Sequence, residues 1–306
     1  MGLAYSQKKE YKKAIEYFEK TLEIEPDDVE SLYRLALIYY QEKDYKKAKE
    51  NIDKLLALDK DNYDAYQTKG VILMEEGNLK DSAKCFEMLI KLNEKIVSGY
   101  IYLSYIYSKE NQYGKVIETL EKANTSISDN IEIKYYLGES YFYVKRYKDA
   151  EKIYNEIAKS NPNDEKIHYH LGALYEKMDK MEGSVKEFRR VIELNPKNAD
   201  AYNYIGYMYA DKNINLEESL SLIKKALELE PKNGAFMDSL GWVHFRMGKF
   251  NEALKELEEA SKILKEKGIE DATVYEHLGD IYLKKNMIEK ANEMYNKSID
   301  LNKEND

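Results

Sequence analysis

The sequence predicts an all-α fold, a solenoid of stacked antiparallel helix pairs, and three observations carry that prediction. Helix breakers are scarce, with four prolines and fourteen glycines in 306 residues. The prolines keep a register: Pro26, Pro162, Pro196 and Pro231 are spaced by 136, 34 and 35 residues, and 136 is four times 34. The bulky and small residues keep the same period. Counting from Val29, position 8 of successive units is Ala36, Gly70, Ser104, Gly138, Gly172 and Gly206, then Gly241 and Gly279 after small insertions, with Gly2 before them. Position 24 is always bulky: Phe18, Ile52, Phe86, Leu120, Tyr154, Phe188, Ile223, Leu257 and Tyr295.

Each unit justifies two helices. Apolar residues at positions 4, 7, 8 and 11 form one helical stripe, and those at 20, 24, 27 and 28 form a second. Short residues at 8 and 20, such as Gly70 with Ser82, let the two helices approach closely. Asp, Asn and Lys fill the turns, and a proline near position 32 stops the second helix. One pair has too little apolar surface to fold alone, so neighbours must stack. The expected array is a single solenoid over 1–306: a partial first repeat at 1–28, then repeats at 29–62, 63–96, 97–130, 131–164, 165–198, 199–233, 234–271 and 272–306.

Three departures are expected to matter. DKNINLEE (211–218) carries one extra residue, placed in the turn inside the seventh repeat. ILKEKGIED (263–271) carries four, about one helical turn, so a longer second helix would keep its face. Gly2 falls at position 8, so six residues of that helix are missing, an upstream segment is expected, and Tyr11 and Phe18 should lack part of their cover.

A bulky residue, Leu-Gly three on, Tyr three further, then Ala-x-x-x-Phe and Pro resembles the tetratricopeptide repeat. HYHLGALYEK (168–177) and KYYLGESYFY (134–143) are the cleanest copies, and about nine copies in phase span the chain. The resemblance implies a right-handed superhelix whose first helices line a concave groove. DSLGWVHFRMGKFNEALKELEEA (238–260) further resembles late repeats of bacterial envelope-associated members, some of them adaptors.

Charge narrows the function. Forty-eight basic and 57 acidic residues give −9, which opposes binding by phosphate neutralisation and suits neutral or basic polypeptides. No nucleic acid, cofactor or membrane span is expected, since no apolar run approaches the ~18 residues a span needs. There is no phosphate-binding glycine loop, HExxH, paired CxxC or nucleophile elbow. His168 and His244 fall at packing positions, and Cys85 beside a core stripe reads as a passive thiol. No catalytic or metal-ligating residue is expected.

The resemblance places positions 2, 5, 6, 9, 12 and 13 on the groove. There the aromatic residues include Tyr33, Tyr40, Tyr102, Tyr105, Tyr135, Tyr136, Tyr143, Tyr169, Tyr204, Tyr207, Trp242 and Phe245, with Glu139 among the acids. Tyrosine and tryptophan concentrate in binding sites because they give contact area with a polar handle. Trp242, the one tryptophan, is the leading contact expected. In YIYLSYIY (100–107), Tyr100 and Tyr107 should hold the core and Tyr102 and Tyr105 the groove, with Ser104 letting the partner helix close. No repeat pairs Lys at position 5 with Asn at position 9, so the family variant that grips a terminal carboxylate is not expected. The expected role is a scaffold for a protein or peptide partner. The alternatives are a recruiting arm of a larger enzyme or envelope complex, and self-association through exposed terminal helices.

Overall fold

In the computed structural model, which describes residues 1–305, eighteen α-helices and no strand occur among the described residues. The fold is an all-α helical-repeat solenoid. Pairs run from α1 (Gly2–Gln7) and α2 (Tyr11–Ile24) through α3 (Val29–Gln41), α4 (Tyr45–Leu58), α5 (Tyr63–Glu75), α6 (Leu79–Leu92), α7 (Val97–Lys109), α8 (Tyr113–Ser126), α9 (Ile131–Tyr143) and α10 (Tyr147–Ser160). They continue through α11 (Glu165–Lys177), α12 (Met181–Leu194), α13 (Ala199–Asp211), α14 (Leu216–Leu229), α15 (Gly234–Arg246), α16 (Phe250–Glu266), α17 (Ala272–Lys284) and α18 (Ile288–Asn305). Packing divides the chain into two compact units, Met1–Ile153 and Tyr154–Asp306.

Local chemistry sets the boundaries. Asp28, Asn62, Asn130, Asp164, Asn198, Asn233 and Asp271 each cap a first helix, the side-chain oxygen accepting from a backbone N–H one turn in. The turn inside a pair is three residues with its middle one at positive φ, as at Lys43 (φ 60°) and Gly77 (φ 79°). In the seventh repeat the turn is one residue longer and uses two left-handed asparagines, Asn213 and Asn215. The insertion before the last pair makes α16 17 residues long against 14 for α14, and Gly268 at φ +70° turns the chain after it.

The recurrent tyrosine at position 11 is fixed from two sides. Its hydroxyl donates to a glutamate of the preceding second helix, as Tyr39 to Glu19 (3.2 Å), Tyr107 to Glu87 (3.1 Å), Tyr141 to Glu121 (2.6 Å) and Tyr282 to Glu258 (2.8 Å). A cation from the following second helix covers the ring: Lys47 over Tyr39, Lys115 over Tyr107 and Lys290 over Tyr282, at 5.0–5.3 Å. Tyr39, Tyr107 and Tyr282 thereby tie their own helices to the second helices before and after them.

In the first unit one core cluster joins Ala14, Phe18, Leu35, Ile38, Tyr39, Ala48 and Ile72. Phe18 is buried there, and Gly2 lies so close that a methyl on it would sit 2.9 Å from the ring. The expectation that Phe18 lacks cover is thus corrected: the short α1 and α3 together enclose it. In the second unit, Phe188, Val191, Ile205 and Tyr209 share one cluster and Leu257, Leu278, Ile281 and Tyr282 another.

A candidate peptide-binding cavity at the fourth repeat

Most repeats close by one rule. Position 8 is glycine, and the bulky residue at 24 fills the space its missing side chain leaves. A methyl on Gly70 would lie 2.8 Å from the Phe86 ring, and one on Gly172 2.9 Å from Phe188. Where position 20 is serine, its hydroxyl donates back to the position-8 carbonyl: Ser82 to Gly70 (2.7 Å), Ser184 to Gly172 (2.7 Å) and Ser219 to Gly206 (2.6 Å). An aromatic ring at 24 then stacks on the ring at position 6 of the next repeat. Phe86 stacks on Tyr102 (centroids 4.8 Å), Tyr154 on His170 (5.3 Å) and Phe188 on Tyr204 (4.7 Å).

The fourth repeat, α7 with α8, breaks each part of the rule. Serine has moved from position 20 to position 8, where Ser104 stands; Val116 occupies position 20 and offers no hydroxyl. Leu120 replaces the ring at 24, so Tyr136, at position 6 of the next repeat, has no stacking partner on α8 and is 41% exposed. The Ser104 hydroxyl is buried and has no hydrogen-bond partner. Neither helix has a side-chain N-cap, because Ile96 and Gln112 stand at the cap positions. A cavity of about 330 Å³ results, lined by Ile101, Ser104, Tyr105 and Ser108 of α7, Tyr113, Val116 and Leu120 of α8, and Tyr136, Glu139, Ser140 and Tyr143 of α9.

Its rim is aromatic. Tyr105 and Tyr143 are exposed, and Lys109 sits over the Tyr105 ring at 5.3 Å. The Tyr113 hydroxyl donates to that of Tyr143 (3.1 Å), with the two rings 4.5 Å apart, so the pair forms one wall. Ser140 donates to the Tyr136 carbonyl and spends its hydroxyl within α9. Ser104 is buried, as are Val116 and Leu120 of the partner helix, and it also borders the opening.

The other expected groove residues separate by burial. Tyr102 is stacked on Phe86. Tyr33 is half-buried with its hydroxyl 3.4 Å from Thr68, and the Tyr40 hydroxyl donates to Glu75 at 2.6 Å. That bond, ahead of burial, pushes the Tyr40 phenol up to about 12. Tyr135 is buried. In the second unit Tyr169 and Tyr204 pack edge to face at 5.8 Å, and Tyr207 is half-buried, its phenol pushed upward mainly by burial.

Trp242 corrects the expectation most sharply. It is 7% exposed, stacked between Phe245 (5.0 Å) and His277 (4.1 Å), with the Arg246 guanidinium 5.5 Å from its ring. His277 is itself held by Asp238, whose two carboxylate oxygens lie 3.0 Å from Nδ1. Burial in that stack, invisible to a count of helix positions, makes Trp242 a packing residue.

The residues singled out for chemistry are accounted for locally. His168 lies 2.6 Å from Glu187 through Nδ1 and 3.0 Å from the Pro162 carbonyl through Nε2. Burial holds His244 below its ordinary value and pushes the Cys85 thiol up to about 11, which keeps that sulfur protonated and unreactive at neutral pH. Among the described residues no helix is long and apolar enough to cross a membrane.

Family models described as tetratricopeptide repeat match residues 6–67 and 107–175, residues 63–96 and 165–198, and residues 235–304, together most of the chain. No curated protein sequence matches it. Among solved structures it is similar to the C-terminal part of a repeat protein from Cytophaga hutchinsonii (20% identity, 78% of this chain and 98% of that one, TM-score 0.68). It is also similar to a tetratricopeptide repeat protein from Parabacteroides merdae (19% identity, 78% and 92%, TM-score 0.64). A third is YrrB, described as a TPR protein with an unusual peptide-binding site (20% identity, 61% and 95%, TM-score 0.52). Stacked helix pairs of this kind form protein-interaction scaffolds, and the chain belongs to the tetratricopeptide repeat family.

Proposed function

We propose that the protein is a non-catalytic scaffold that holds an extended peptide segment of a partner across α7 and α9, with one side chain of that segment seated in the cavity at the fourth repeat. The observation that carries this reading is the cavity itself, open, walled by apolar atoms and rimmed by the exposed rings of Tyr105, Tyr136 and Tyr143. Rings of this kind bind by area at low entropic cost. The net charge of −9 and Glu139 in the lining favour a neutral or basic segment over an acidic one. YrrB, whose fold this chain shares, is likewise described as a peptide binder. Trp242 and Tyr135, being buried, are left out of the contact set.

Display of random peptides on the purified chain tests the reading. Selected peptides should bind with affinity on the order of micromolar and lose at least about tenfold, about 1.4 kcal/mol, with Tyr136→Ala or Tyr143→Ala. Substituting the exposed second-helix residues Lys54 and Lys84 should change nothing. The reverse pattern would refute the groove.

A further inference from the structure

The cavity has the form of a missing rung. In the third, fifth and sixth repeats, a ring at position 24 lies against the ring at position 6 of the next repeat, with centroids 4.7–5.3 Å apart. At the fourth repeat the position-6 ring, Tyr136, is present and the position-24 ring is not, since Leu120 stands there. The space is large enough for one aromatic side chain, and its wall carries a hydroxyl, Ser104 Oγ, that is buried without a partner. A buried hydroxyl in that state costs about 1–3 kcal/mol that a ligand atom can recover. Ile101, Val116 and Leu120 add aliphatic wall beside it.

Resting on the peptide-scaffold reading above, we infer that the side chain seated in the cavity is aromatic, tyrosine in preference to phenylalanine, and that it supplies the ring Leu120 withholds. The incoming ring lies against Tyr136 and over the Leu120 and Val116 methyls, and its hydroxyl pairs with Ser104. An aliphatic anchor would fill part of the space but make neither contact. An acidic anchor would bring its charge beside Glu139 into an apolar chamber, where desolvation opposes it.

The test uses the full chain, methyl-labelled for NMR, titrated with N-acetyl-tyrosinamide, N-acetyl-phenylalaninamide and N-acetyl-leucinamide. The tyrosine amide should bind about three- to tenfold more tightly than the leucine amide, the range for one aromatic pair. It should also move the Leu120 and Val116 methyl signals by ring current. Ser104→Ala should remove the preference for the tyrosine over the phenylalanine amide, a change of about fivefold. Tyr136→Ala should weaken both aromatic amides and spare the leucine amide. Leu120→Phe should close the cavity and silence all three. Ser104→Ala and Tyr136→Ala, at a half-open site, keep the test intact if Leu120→Phe does not fold. Equal binding of the leucine amide, or no methyl response to any amide, overturns the aromatic anchor. The peptide-display experiment does not depend on anchor class, so it can succeed where this one fails, and a groove that fails that test leaves the methyl responses here unaffected.

Discussion

The third and fourth repeats sit side by side in one unit and differ at the three positions, 8, 20 and 24, that close a helix pair. In the third, Gly70, Ser82 and Phe86 close the pair: the glycine admits the ring, the serine hydroxyl satisfies the glycine carbonyl, and the ring stacks on Tyr102. In the fourth, Ser104, Val116 and Leu120 occupy those positions, and the result is an orphan hydroxyl, an unstacked Tyr136 and a cavity. The helix lengths are unchanged: α7 and α8 have 13 and 14 residues, as α5 and α6 do. A solenoid repeat can therefore carry an open cavity, since the neighbours hold its helices in place. The Gly172, Ser184, Phe188 and Tyr204 set in the second unit repeats the closed form of the third repeat.

The comparison can be broken at its strongest point first. Phe86 is fully buried, so Phe86→Ala should cost about 3–5 kcal/mol in urea unfolding followed by circular dichroism. Gly70→Ala pushes a methyl into the Phe86 ring and should cost about 1–3 kcal/mol, where Ser104 shows that the fourth repeat already tolerates a larger side chain at that position. Leu120→Phe should act in the opposite sense, raising stability by about 1 kcal/mol as the new ring meets Tyr136.

Two serine substitutions sharpen the contrast further. Ser82→Ala loses a bond to the Gly70 carbonyl and should destabilise by about 1 kcal/mol. Ser104→Ala removes a hydroxyl that has no partner and should leave the unfolding midpoint unchanged or raise it. Equal losses from the two would mean that Ser104 is satisfied in solution.

The smallest effect is on pH dependence. Burial, then the bond to Glu87, pushes the Tyr107 phenol from its ordinary 10.0 up to about 12. A neutral phenol favoured by the fold contributes stability in full below pH 10, and that contribution is lost as pH rises toward about 12. Tyr107→Phe should remove one late-titrating phenol from the tyrosinate absorbance curve.

The fold was legible because its signal is repetitive: the small residue at 8 and the bulky one at 24 recur in every unit, so each copy confirms the phase of the others. The cavity was half legible. The substitutions that make it, Ser104, Val116 and Leu120, stand in the sequence, but they signal an opening only when read together with Tyr136 in the next repeat. Taken alone, Ser104 is one more short residue at position 8. Trp242 misled for a related reason. Its groove position follows from the family resemblance, while its burial depends on Phe245 one turn on and on His277, a residue of the next repeat that a reading of one helix leaves out. Periodicity gives the face of a helix and not what leans across that face.

The central claim is that Leu120 leaves a rung empty, and the crystal structure of the Leu120→Phe variant tests it most directly. The account predicts the introduced ring stacked on Tyr136 at a spacing close to the 4.8 Å of Phe86 on Tyr102, with the cavity gone. A ring turned out to solvent, with the cavity still open and Tyr136 unmoved, would contradict it.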